Sequence, residues 1–208
     1  MILITLALSA ILFTSSLTSC GGEQTNSNST EETSAKQEVK NEEKQELVSQ
    51  NPAVDIAQIM EAALNGNLAA IEKALEDGFD VNSTDPDMHT ALMMAAYNGH
   101  SNIIKFLLDN GATADMKDLK DRTALMYAST GAFNETVILL LNAGAKINLV
   151  DNEEHFTALM FAAAEGQIEV VQTLLKHGAD NSLLDIDSES AYDFAVANGH
   201  LDVAAILK

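Results

Sequence analysis

The chain has 208 residues, with 31 Asp and Glu against 11 Lys and Arg, a formal net charge of −20. That excess argues against nucleic acid as a partner, since binding phosphates needs clustered cations. Its 47% hydrophobic content supports one domain of ordinary size, and a single cysteine excludes an intrachain disulfide.

Residues 1–19 open on an apolar run to Phe13 and then turn to small polar residues. The run is shorter than the roughly twenty residues a membrane span needs and suits the apolar region of a signal peptide. Leu17-Thr18-Ser19-Cys20 resembles the lipobox of bacterial lipoproteins: an aliphatic residue, two small ones, then the cysteine that is acylated. The resemblance implies lipidation at Cys20 and a lipid bilayer as one partner. It also implies a place in the bacterial cell envelope, at the outer membrane if the organism has one, because Gly21 and not aspartate follows. No Lys or Arg precedes the run, so an upstream start or an uncleaved anchor stays open. Residues 20–50 are polar and charged with few apolar side chains. They read as a flexible acidic linker of roughly 30 Å average span.

From residue 51 the chain becomes periodic. Asn51-Pro52 predicts a helix opening, a capping side chain before a proline. Ala57 to Phe79 carries Gly66 and Gly78 and reads as an N-terminal cap unit. TALMMAAYNGHSNIIKFLLDNGA then begins at Thr90 and returns at Thr123 and Thr157, with a shortened copy from Ser190, so the period is 33, 34 and 33. Each copy predicts helix, tight turn, helix and loop. The pairs Ala95-Ala96, Ala128-Ser129 and Ala162-Ala163 let first helices sit close. Ile103, Ile104, Leu107 and Leu108, like Val170, Val171, Leu174 and Leu175, form a buried stripe. Gly111, Gly144 and Gly178 stand where positive φ closes the second helix. In the second copy the glycine between helices, Gly131, falls one residue early. The last unit stops before any Gly-Ala, carries Ala204-Ala205, and reads as a C-terminal cap. A Thr-x-Leu start and a Gly-Ala end at this period resemble the ankyrin repeat. The resemblance implies an all-α ankyrin-repeat solenoid of about five units over residues 51–208, stable only by stacking. Capping at both ends leads us to expect a monomer.

Chemistry is sparse in the pattern. No two of the five histidines are spaced as a recognisable metal-ligand pair. His100 and His200 fall in Asn-Gly-His turns, His177 at a helix end, and His89 and His155 in loops. Met93, Met126 and Met160 recur at one repeat position, where most ankyrin repeats have a histidine that ties the loop, so those ring bonds are expected to be missing. Thioethers suit Cu(I), but methionine also fills core gaps. No phosphate loop or nucleophile turn is present, so no enzyme, cofactor or metal is expected.

By resemblance, such proteins bind partners with hairpin tips and first-helix ends. Here the tips are residues 85–89, 118–122, 151–156 and 185–189, and the usual tip glycine is replaced by Met88, Asp121 and Ser188. The candidate partner-binding residues are Asp87, His89, Tyr97, Lys120, Arg122, Glu154, Phe156 and Glu165. Tyr97, Arg122 and Phe156 are types that anchor interfaces, and the aromatics are expected to be exposed with no core role. The expected function is a lipid-anchored scaffold, stabiliser or inhibitor of an envelope protein bearing a basic patch. The alternatives are a specific inhibitor or immunity protein of a toxin or lytic enzyme, and a metal or redox accessory using the methionine ladder.

Overall fold

The computed structural model describes residues 55–208, which form ten helices in five antiparallel pairs. These are α1 (Ile56–Leu64) with α2 (Leu68–Glu76), α3 (Ala91–Tyr97) with α4 (Ser101–Asp109), and α5 (Ala124–Ser129) with α6 (Asn134–Asn142). Then come α7 (Ala158–Ala164) with α8 (Ile168–Lys176), and α9 (Ala191–Ala197) with α10 (Leu201–Leu207). The odd-numbered helices stack on one another in an inner row and the even-numbered ones in an outer row. There is no strand among the described residues; isolated antiparallel bridges join Thr84 to Thr90 and Leu184 to Ser190. The architecture is the expected all-α solenoid.

The repeated residue types explain each element. Thr90 is extended and its Oγ1 accepts the N–H of Met93, which opens α3; Thr157 and Met160 do the same for α7. Such a cap is worth about 1 kcal/mol. The sulfurs of Met93 and Met160 accept the N–H of Thr90 and Thr157 in return, at 3.5 and 3.4 Å. Thioether sulfur thus occupies an orphan donor at the helix start, and Asp193 Oδ2 takes the same part for Ser190 at 2.8 Å. Ala95, Ala96, Ala128, Ala162 and Ala163 are fully buried where inner helices meet. Larger side chains there would force the rows apart. Ile103, Ile104 and Leu107, with Val137, Leu140, Val170, Val171 and Leu174, bury the inward stripe of the outer row. Each fully buried branched side chain contributes about 1.5–3 kcal/mol.

The ends are built differently from the middle. The first described helix opens at Asp55, whose side chain accepts the N–H of Ala57; the expected opening at Asn51 and Pro52 lies outside the described residues. The fifth pair is only partly a cap. Asp193 is polar and exposed where the inner repeats bury methionine. Val196 is nevertheless 43% exposed and Leu201 69%. Cys20 and the lipobox, and the linker to residue 50, fall outside the described residues.

Candidate functional site

Four hairpin fingers project from the inner row, and an aspartate builds each one. Asp85 Oδ1 accepts the N–H groups of Asp87 and His89 at 2.9 and 2.8 Å. Asp118 Oδ1 holds Lys120 and Arg122 at 2.8 and 2.9 Å, and Asp185 Oδ1 holds Asp187 and Glu189 at 2.9 and 2.7 Å. In the longer third finger Asp151 Oδ1 reaches Glu154 and Phe156 at 3.1 and 3.0 Å. The turn residue of every finger has positive φ: Met88 63°, Asp121 59°, His155 60° and Ser188 66°. Without glycine each such residue costs about 1–2 kcal/mol, and the carboxylate clamp offsets that strain. Backbone bonds then tie finger to finger: Leu119 N–H to Asp87 C=O at 3.1 Å, Asn152 to Lys120 at 3.0 Å, and Ile186 to Glu154 at 3.1 Å.

A second ladder runs along the bases of the fingers. The residues just before Thr90, Thr123 and Thr157 each reach the next inner helix. His89 meets Tyr127 edge-on with ring centroids 6.2 Å apart, the Arg122 guanidinium lies 5.2 Å from the Phe161 ring centroid, and Phe156 packs on Phe194 at 4.7 Å. A carboxylate of the next finger accompanies the first two. His89 Nδ1 donates to Asp85 Oδ2 at 2.9 Å while its Nε2 faces Asp118 Oδ2 at 3.7 Å, and Arg122 Nε donates to Asp151 Oδ2 at 3.2 Å. Cation over ring and charge beside carboxylate reinforce one another in a partly dry site.

These contacts correct part of the predicted face. Phe156 is only 7% exposed and packs against Phe161 and Phe194, so it belongs to the core and not to an exposed anchor. Tyr97 is half-buried and meets Tyr127 edge-on at 6.1 Å, so the aromatics do have a packing role. The Arg122 side chain keeps 20% of its surface and is spent on Asp151 and Glu153. Asp87, Lys120, Glu154 and Glu165 are exposed as placed, with Lys120 bonded to Glu153 at 3.1 Å. His89 is half-buried between two carboxylates. The four finger aspartates and the partner rings Tyr127, Phe161 and Phe194 are absent from the predicted set, although their fixed repeat offsets were visible.

The remaining candidates take structural parts. Met93, Met126 and Met160 are buried, so the ladder offers no open thioether. His100 Nε2 donates to Leu64 C=O of the preceding pair at 2.9 Å, and His177 Nδ1 to Thr173 C=O at 2.8 Å, closing α8. Asp85, Asp87 and His89 bring possible ligand atoms within 4.8 Å, but Asp85 is committed to two N–H groups and the ring. Among the described residues Tyr127 is the one strongly perturbed group. Burial, then its hydrogen bond to Asp118 Oδ2, raises its pKa far above the usual tyrosine range. Both causes disfavour the phenolate, so this group's contribution to stability is intact below about pH 10 and is lost as pH rises through the higher folded value. Alkaline titration of tyrosinate absorbance should show one late-ionising phenol that Tyr127→Phe removes. An unchanged curve in that variant would refute the assignment.

A family model described as ankyrin repeats (3 copies) matches residues 59–151 and 131–208. No curated protein gives a significant match to the chain.

Proposed function

Because the chain belongs to the ankyrin-repeat family, whose repeats mediate protein–protein interaction, we propose that it is a non-catalytic module that binds a basic surface of another protein through its fingers. The charge of the finger row carries this reading. Asp87, Glu153, Glu154, Asp187 and Glu189 are exposed along it, whereas Lys120 and Arg122 are both paired with Glu153. A face with an excess of one sign attracts the opposite sign, steers its approach, and loses hold as salt screens it. With Cys20 acylated, the module would act at a bacterial envelope membrane, scaffolding, stabilising or inhibiting what it binds. Specific inhibition of one toxin or lytic enzyme is the tight-binding form of the same activity.

The test compares the immobilised full chain with an Asp87→Lys, Glu154→Lys, Asp187→Lys variant of unchanged helical circular dichroism. Envelope extract is passed over both. A protein retained by the first, released by rising salt and lost by the second is expected; equal retention by both sinks the acidic-face reading. The lipid anchor has its own test, because Cys20→Ala should move the chain out of the membrane fraction.

A further inference from the structure

Asparagine followed by glycine stands at four helix ends: Asn65-Gly66, Asn98-Gly99, Asn110-Gly111 and Asn198-Gly199. The pairing is labile, because glycine has no Cβ to shield its nitrogen from the neighbouring carboxamide. Three of the four are held. Asn98 Nδ2 donates to Leu64 C=O at 2.7 Å, Asn198 Nδ2 to Ala164 C=O at 2.8 Å, and Asn110 Nδ2 to Phe106 C=O at 2.8 Å. The glycine N–H that follows each is bonded at 3.1 Å, to the carbonyls of Ala96, Val196 and Leu108. Asn65 differs in both respects. It is exposed, and its carboxamide has no hydrogen-bond partner among the described residues. Gly66 N–H reaches Ala63 C=O only at 3.4 Å.

We propose that Asn65-Gly66 is a site of spontaneous covalent modification, where water converts asparagine to aspartate and isoaspartate and loosens the first helix pair from the second. Asn65 caps the C-terminus of α1 at ψ 2°. Ring closure turns that bond and breaks only the long Gly66 hydrogen bond, whereas at the other three sites it must also free the carboxamide. The Gly66 nitrogen attacks Asn65 Cγ; the N–Cγ bond forms, the Cγ–Nδ2 bond breaks, and Nδ2 leaves as ammonia with the Gly66 proton. Water then opens the five-membered imide at one carbonyl or the other. One product is aspartate; the other is isoaspartate, whose main chain runs through Cβ and Cγ. The turn that changes is a seat for the next repeat. A Cβ built on Gly66 would lie 2.8 Å from His100 Cε1, and His100 Nε2 and Asn98 Nδ2 both donate to Leu64 C=O, at 2.9 and 2.7 Å. An added main-chain carbon there moves the turn off these partners. Either product also sets a carboxylate at the C-terminal end of α1, where the helix dipole opposes it. The inference does not depend on the protein-binding reading above.

The test incubates the full chain in mildly alkaline buffer and follows each Asn-Gly by peptide mapping and mass spectrometry, with isoaspartate told from aspartate by fragmentation. In the folded chain Asn65 should convert about two- to tenfold faster than Asn98, Asn110 or Asn198, the net worth of the one hydrogen bond that each of those keeps. In concentrated urea the four should convert at similar rates. Conversion at Asn65 no faster than at the others, or the same lead for Asn65 in urea, overturns the proposal. The consequence is read by amide exchange on the converted chain, against an Asn65→Gln variant incubated alongside, which cannot form the five-membered ring. Exchange at Asn67 and His100 should rise in the converted chain alone; conversion that leaves both unchanged overturns the loosening of the first pair.

Discussion

Gly99→Ala should destabilise the domain by about 2–5 kcal/mol, a large part of the whole stability of a domain this size. Two penalties coincide at that residue. Its φ is +69°, where an L side chain costs about 1–2 kcal/mol. A Cβ built there would also lie 2.1 Å from Phe133 Cδ1 and 2.4 Å from Cγ. Those are atoms at the root of the ring, so the ring cannot swing aside, and overpacking of this kind adds about 1–3 kcal/mol. Gly111 separates the two effects. Its φ is +89°, yet a Cβ there meets nothing within 4 Å, so Gly111→Ala should show the conformational cost alone. Denaturant unfolding of both variants checks this, with helical circular dichroism as the signal. If Gly99→Ala costs no more than Gly111→Ala, the packing of Phe133 on the preceding turn is wrong. Adding Phe133→Ala to Gly99→Ala should recover part of the loss, because the two sites are coupled through one contact.

That contact shows what the sequence could and could not reveal. The period, the glycines after the outer helices and the small residues of the inner row follow from local geometry repeated at a fixed interval, and all were legible. The displaced Gly131 was legible too, but its reason was not. Phe133 stands where the other repeats have His100, Gln167 and His200, and its ring fills the space beside both Gly99 and Gly131. Phe156 was misread for a related reason: at a loop tip an aromatic looks exposed until the next repeat is laid beside it, and Phe194 lies in that next repeat. The finger aspartates were in plain view at a constant offset from each Thr or Ser. In a chain of net charge −20 they passed for solvated acids, whereas Asp118, Asp151 and Asp185 are among the few buried polar residues. The missing loop histidine was expected to leave the loops untied. Methionine sulfur at the helix starts and carboxylate in the fingers hold them instead.

Asp118→Ala should therefore cost about 2–4 kcal/mol, although the residue lies in a loop. Its Oδ1 accepts the N–H groups of Lys120 and Arg122, its Oδ2 accepts Tyr127 Oη, and the residue is 4% exposed. A hydrogen bond to a buried charge is worth about 1.5–3 kcal/mol, and donors left without an acceptor add the cost of their own desolvation. Asp118→Asn keeps an oxygen for the two N–H groups but loses the anion, so it should cost roughly half as much. Asp87→Ala, at an exposed position of the neighbouring finger, should stay within about 0.5 kcal/mol. The loss at Asp118 should also be visible locally. The second finger is bonded on both sides, through Leu119 N–H to Asp87 and Lys120 C=O to Asn152, so its loosening should speed amide exchange at Leu119 and Asn152 together. Exchange that rises at Lys120 and Arg122 alone would mean that the fingers move independently. The row would then be four separate loops and not one tied surface.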